Sequence, residues 1–409
     1  MIGISAKVAL LLLALPACGT ARPAAVGTEP VAAHPPGTPP AATRVVVGAE
    51  QLAKYLPRLQ GQRVGLVINQ TSRVGPAFLV DTLRARGVNV TAIFAPEHGF
   101  RGEEADGATI KDGRDARSGV AVRSVYGKTK KPTPDMLADV DVLVFDIQDV
   151  GARFYTFIST LHYVMEAAAE QNKAVLVLDR PNPNGDLVDG PILEPAHKSF
   201  VGMDPLPIAH GLTVGELATM LNGEKWLARG RKCRLTVVPV APGYTHATAY
   251  HLPVRPSPNL PTDHAVALYP SICLFEGTTI SVGRGTATPF EVIGGPSQPS
   301  TRPYSFTPQP NAGSPNPPLK GQPCYGLNLA AVPTRDSGRL VLSYLLDFYQ
   351  QSTDKAHFFS KYFEELSGTG TLRQQIIAGK SEAEIRASWE PGLGRFKALR
   401  KKYLLYPER

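Results

Sequence analysis

Four short polar clusters hold most of the residue types that could do chemistry. They are Asn69-Gln70, Glu97-His98, the turn Asp146-Ile-Gln-Asp149 with Arg153 just beyond it, and Asp179-Arg-Pro-Asn182. Carboxylates, guanidinium groups and amides dominate them, and that mixture suits sugar chemistry. Breaking a glycosidic bond needs a protonated carboxylic acid to donate to the leaving oxygen, plus a carboxylate to activate water or attack carbon. Asn, Gln and Arg can hold hydroxyl, acetamido and carboxylate groups. The sequence lacks the usual devices of other reactions. There is no Gly-x-Ser-x-Gly elbow. It has no Walker loop, no Gly-x-Gly-x-x-Gly after the first strand and no His-Glu-x-x-His. Asp146 and Asp149 could touch a divalent cation, but two carboxylates at that spacing are weak evidence. No metal and no other cofactor is expected.

Each cluster follows an apolar run too short for a helix. Arg63–Ile68, Val88–Phe94, Val142–Phe145 and Lys173–Leu178 read as buried strands,. Between them lie helical patterns at Pro76–Arg86, at Pro134–Val140 and from Phe154 to about Glu170. A capping box at Thr213-Val-Gly-Glu216 opens a helix expected to reach Arg229, and Leu235–Val240 is a further strand,. Strands alternating with helices argue for an α/β chain with a doubly wound, mostly parallel sheet. Such a sheet brings its strands' carboxyl ends to one edge, so the four clusters are expected to line one cleft.

Further along, Leu327–Val332 and Leu340–Tyr349 read as a strand and a helix of a smaller α+β domain. A second capping box, Ser381-Glu-Ala-Glu384, opens a helix towards Trp389, and Phe396–Leu405 is a separate closing helix,. The expected division is 44–265 for the larger domain and 266–409 for the smaller.

The 409 residues carry a net charge of +8. That balance suits an anionic partner such as a cell-wall polymer. No dense basic run accompanies it, so nucleic acid is not an expected partner. At the start, Lys7 precedes the apolar run Val8–Leu15, which is too short to span a bilayer,. Leu15-Pro-Ala-Cys18 resembles a bacterial lipobox. Residues 1–18 then form a lipoprotein signal, with Cys18 as the lipid attachment point and membrane anchoring outside the cytoplasm as the consequence. An ordinary signal peptide with an incidental cysteine is the plainer alternative. Residues 19–43, rich in Ala and Pro, read as a disordered tether,. Cys233, Cys273 and Cys324 remain, an odd number without a CxxC pair; one disulfide or free buried thiols are both open,.

Several ordered motifs carry a resemblance. They are Asn69-Gln-Thr71, Pro96-Glu-His-Gly-Phe-Arg-Gly102, Asp146-Ile-Gln-Asp-Val-Gly-Ala-Arg-Phe-Tyr155 and Asp179-Arg-Pro-Asn-Pro183. Pro256-Ser-Pro-Asn259, Phe275-Glu-Gly-Thr278, Gly283-Arg-Gly-Thr286, Pro289-Phe-Glu291 and the closing Lys402-Tyr-Leu-Leu-Tyr406 follow. From about residue 44 onwards the chain resembles the NamZ-type exo-β-N-acetylmuramidases, long catalogued as a domain of unknown function. The resemblance implies a glycoside hydrolase that removes terminal N-acetylmuramic acid from peptidoglycan fragments. It also implies a Rossmann-like domain, a smaller C-terminal domain, an active site between them and no nicotinamide cofactor. The stretch 296–323, rich in proline, departs from the family pattern.

Roles follow for individual residues. Glu97 is the expected general acid, because apolar Phe94 and Phe100 nearby would keep its proton on. Its competing role is an ion pair with Arg101. His98 could orient it. Glu276 is the best second carboxylate, ahead of Glu291, Asp146 and Asp149. Arg153, Arg180 and Arg284 are candidates to grip the lactyl carboxylate of muramic acid, although Arg180 could simply pair with an aspartate. Asn69, Gln70, Arg101, Asn182 and Tyr155 complete the expected sugar contacts. The alternative function is a non-catalytic, sugar-binding lipoprotein of the cell wall.

Overall fold

The computed structural model describes residues 44–97, 99–100 and 112–409. The signal segment with Cys18, the tether at 19–43, His98 and Arg101 lie outside the described residues.

Strands β1 (Arg63–Ile68), β2 (Asn89–Ala95), β3 (Gly113–Arg114), β4 (Ala121–Ser124), β5 (Val142–Asp146), β6 (Ala174–Leu178) and β7 (Arg234–Val238) form one sheet. Their order is β7-β6-β5-β1-β2-β4-β3. Every neighbouring pair is parallel except β3 against β4. Without the short edge strand β3, this is the strand order of a doubly wound Rossmann-type sheet.

The sheet's two faces can be read from alternate residues of β5. Leu143 and Phe145 join a core with helices α3 (Phe157–Glu170) and α4 (Val214–Gly223). Val142 and Val144 join another with helices α1 (Leu52–Leu59) and α2 (Leu79–Ala85). Both faces are covered, so the whole strand is buried, and an unbroken apolar run is what that position requires.

The rest of the chain adds helices α5 (Asp263–Ile272), α6 (Ser343–Gln351), α7 (Tyr362–Ser367), α8 (Thr371–Ile377) and α9 (Glu382–Arg400). It also adds a three-stranded antiparallel sheet of β8 (Val292–Gly295), β9 (Tyr304–Phe306) and β10 (Cys324–Asn328), with β10 in the middle. The core beneath α3 and α4 runs on through Leu268, Phe348, Phe363 and Trp389.

Five elements differ from the sequence reading: only a 3-10 turn, Asp135–Leu137, forms where a helix over Pro134–Val140 is expected, β10 ends at Asn328 and not Val332, and three helices have other bounds. α3 starts at Phe157, not Phe154, because Gly151 takes φ +77° and turns the chain into a loop. α4 stops at Gly223, and Lys225 and Arg229 beyond it adopt positive φ. The two C-terminal helices are one: α9 runs through Pro391, with Trp389, Leu393 and Phe396 along a single buried side holding it to the core,. Cys233, Cys273 and Cys324 are buried free thiols.

Candidate active site

A cavity of about 900 Å³ opens beside the carboxyl ends of β2, β4 and β5. That volume is ample for a sugar. Glu97 reaches it from the loop after β2. Tyr126 follows β4 and donates its hydroxyl to Glu97 Oε1 at 2.8 Å. Thr156, the residue before α3, donates to Glu97 Oε2 at 2.6 Å. Two hydroxyl donors thus hold Glu97 as an acceptor at the cavity wall. Burial and the Glu97 charge push the Tyr126 phenol up, so it keeps its proton and stays a donor.

The second carboxylate comes from the other part of the chain. α5 tightens at its end into a 3-10 turn, Cys273–Gly277, and Glu276 projects from it into the cavity. The turn sits against α7 closely enough that a Cβ on Gly277 would lie 2.5 Å from Phe363 Cα. Glu276 Oε1 accepts from Arg284 Nε, and its Oε2 lies 3.5 Å from the Cys273 thiol. Burial pushes the Glu276 carboxyl up to about 7, the Cys273 contact lowers it and the Glu97 charge raises it again. The adjoining Arg284 guanidinium opposes the rise. Arg284 itself lies over the Phe290 ring, 5.2 Å from its centroid. Burial brings its guanidinium down to about 10, leaving it a cation at neutral pH.

Tyr155 forms part of the floor, edge-on to Phe157 and Tyr269. Asn259 lines a wall and donates to the Gly313 carbonyl at 2.9 Å. Residues 313–316 line the same wall, so the proline-rich stretch that departs from the family pattern contributes directly to the cavity. Tyr362 and Glu365 from α7 and Lys130 add to the lining.

Glu97, Glu276, Arg284 and Tyr155 thus share the cavity, whereas most of the charged turn does not reach it. This corrects the expectation that all four strand ends line one cleft. Asp146 and Arg180 are buried against each other, with Arg180 Nε and Nη2 at 2.6 and 3.0 Å from the two carboxylate oxygens. Arg180 does pair with an aspartate, but with Asp146 across the sheet and not with its neighbour Asp179. Arg153 is 0% exposed. Its guanidinium donates to the carbonyls of Pro191, Leu206 and Leu366 at 2.7–2.9 Å, tying three loops together. A group enclosed in this way cannot grip a sugar carboxylate.

The amides and remaining acids act as scaffold. Asn69 Oδ1 accepts from the backbone and hydroxyl of Thr71. Gln70 donates to the carbonyls of Arg255 and Pro256, and so fixes the rigid segment that carries Asn259. Asp149 accepts from Gly151 N at 2.7 Å. Asn182 donates to Leu212 O and packs where Gly151 leaves room; a Cβ there would come within 2.3 Å of its amide. Glu291 accepts from Thr262, the cap of α5, and so steadies the helix that leads to Glu276. Asp179 binds Thr213 and Gly215 and accepts from the Tyr406 hydroxyl, which explains the closing Tyr406 as an anchor.

Sequence reasoning did not find Tyr126, Thr156, Tyr362, Glu365 or Lys130. Lys130 lies in a short basic run with Lys128 and Lys131, Glu365 stands beside Glu364, and Thr156 directly follows Tyr155, so no local pattern marks the cavity-facing residue. Asn259 did carry a signal, since the prolines around it mark a rigid segment.

Family models described as the N-terminal and C-terminal parts of exo-β-N-acetylmuramidase NamZ match residues 64–264 and 267–406. The chain belongs to the NamZ family of exo-β-N-acetylmuramidases. It is 41% identical to the peptidoglycan β-N-acetylmuramidase NamZ of Bacillus subtilis (strain 168), over 87% of this chain and 89% of the relative. Two crystal structures of DUF1343 family proteins from Bacteroides fragilis NCTC 9343 are similar in fold. One has a TM-score of 0.83 at 45% identity, covering 90% of this chain and all of its own. The other has a TM-score of 0.77 at 32% identity, covering 89% of this chain and 99% of its own. Membership of the NamZ family makes the chain a glycosidase.

Proposed function

We propose that this NamZ-family enzyme releases single N-acetylmuramic acid residues from the non-reducing ends of peptidoglycan fragments during cell-wall turnover. The observation that carries the reading is the contrast between the two cavity carboxylates. Glu276 is half-buried, and desolvation pushes its carboxyl up to about 7, so part of it holds a proton to give at neutral pH,. Glu97 is anchored by two hydroxyl donors in a form that accepts. Glu276 is therefore the general acid that protonates the departing glycosidic oxygen. Glu97 is the carboxylate that faces the positive charge growing on the anomeric carbon and directs the incoming oxygen. The sequence had favoured Glu97 as the acid; the surroundings of the two groups favour the reverse assignment.

The test is incubation with a chromogenic β-N-acetylmuramide and with defined peptidoglycan fragments. Chromophore release from the glycoside, and N-acetylmuramic acid freed one residue at a time from the non-reducing ends of the fragments, support the reading. Shortening of long glycans from within would reject the exo assignment, and no release from either substrate would reject hydrolysis.

Export and membrane anchoring through lipidated Cys18 are part of the proposal. They rest on the Leu15-Pro-Ala-Cys18 sequence. Metabolic labelling with a fatty acid in a bacterial host should mark the wild type and not Cys18→Ala; unlabelled wild type would sink the anchor.

A further inference from the structure

The cavity presents three carboxylates, Glu97, Glu276 and Glu365. Muramic acid differs from N-acetylglucosamine by a lactyl ether that carries a fourth. An anion placed among like charges is unfavourable unless a cation meets it. Of the arginines that the sequence offered for this group, Arg153 is held by main-chain carbonyls and Arg180 by Asp146, both away from the cavity, while Arg284 lines it paired with Glu276. Lys130 remains. It lines the cavity and is exposed to solvent. Among the described residues no carboxylate pairs with it, whereas its neighbour Lys131 is held by Glu166 and Glu170 at 2.8 and 2.7 Å.

The Lys130 ammonium has a defined place. It sits 4.4 Å from the centroid of the Phe200 ring. That ring stacks on Tyr163, with centroids 6.2 Å apart and planes 12° from parallel. It also meets Tyr126 at 6.0 Å, the same tyrosine whose hydroxyl holds Glu97. One aromatic wall therefore connects the cation to a reacting carboxylate. From this place over the ring, the long flexible lysine stem lets the ammonium turn to meet an anion in the cavity,.

We propose that Lys130 pairs with the lactyl carboxylate and so sets the preference for muramic acid over the uncharged glucosamine sugar. The proposal rests on the muramidase reading. A single charge-assisted contact at a wet cavity wall is worth about tenfold or more in affinity.

The experiment uses the full-length enzyme, Lys130→Met and Lys130→Arg, with three chromogenic substrates. These are the β-N-acetylmuramide, the same glycoside with its lactyl carboxylate converted to a neutral amide, and the β-N-acetylglucosaminide. Lys130→Met should raise KM for the acid by about tenfold or more while kcat changes by less than about threefold. It should leave the amide and the glucosaminide unaffected, and Lys130→Arg should restore most of the difference. Equal losses on all three substrates, or no loss on the acid, would overturn the proposal. If the wild type cleaves none of them, the muramidase reading falls, and titration with free N-acetylmuramic acid and N-acetylglucosamine still decides about Lys130. A wild-type preference for the acid that Lys130→Met erases supports it; a preference that survives, or none at all, removes it.

Discussion

Arg284 donates its Nε–H to Glu276 Oε1, and its guanidinium also lies within the field of Glu97. One half-buried cation thus answers to both cavity carboxylates. Two carboxylates sharing a site without a cation would drive one of them strongly towards the neutral form. Arg284, paired with Glu276, opposes that drive,.

The first consequence is a pH profile. Burial, aided by the Glu97 charge, raises the Glu276 carboxyl to about 7. A general acid works in its protonated form, so its active fraction is full well below that value and falls as pH rises through it. kcat/KM should decline on the alkaline side with a midpoint near 7, tending to about tenfold per pH unit beyond it. Glu276→Gln should lower the rate and abolish that limb. An alkaline limb that persists in Glu276→Gln would assign the proton to another group.

Glu97→Gln keeps an oxygen for Tyr126 or Thr156 but removes the charge. Loss of the charge should cost about 10²-fold or more in kcat, with binding and fold retained. Glu97 also raises the Glu276 pKa, so the residual activity should show its alkaline limb at lower pH than the wild type. Steady-state kinetics across pH check both statements. Near-normal turnover would remove Glu97 from the chemistry.

The parallel sheet was legible because β5 is buried on both faces and therefore shows an unbroken apolar run. Glu97 and Glu276 were legible as acids in distinctive motifs. Which polar clusters face the cavity was not legible. Asp146, Arg153 and Arg180 have the residue types of a binding site, but those types also suit a closed internal network. Only the pairing of Arg180 with Asp146, and of Arg153 with three distant carbonyls, separates the two cases. Tyr126 and Thr156 were invisible for the opposite reason. Their role comes from where β4 and α3 deliver them, and nothing in their local sequence records it.

Cys273 supplies a finer test of the acid. Its thiol lies 3.5 Å from Glu276 Oε2, and the contact lowers the Glu276 pKa. Cys273→Ala removes that donor, so the alkaline limb should move upwards. A net hydrogen bond of ordinary strength corresponds to a shift of about half a pH unit. Cys273→Ser, which restores a donor, should bring the limb back. Because both variants are small and buried, a merely structural role would alter thermal stability without moving the limb, and that result would detach Cys273 from Glu276.

The Asp146–Arg180 pair should behave as framework. Both groups are buried and bidentately paired. Removing one partner leaves the other charge uncompensated in a poorly solvated site, at a cost of about 3–5 kcal/mol. Asp146→Ala and Arg180→Met should each lower the thermal midpoint by several degrees. The double variant Asp146→Leu with Arg180→Met removes both charges and fills their space with apolar atoms, so it should recover much of the loss. At a temperature where all three remain folded, KM for the muramide should stay close to the wild-type value. If instead Asp146 and Arg180 held the sugar, the double variant would be the weakest binder of the three, whatever its midpoint.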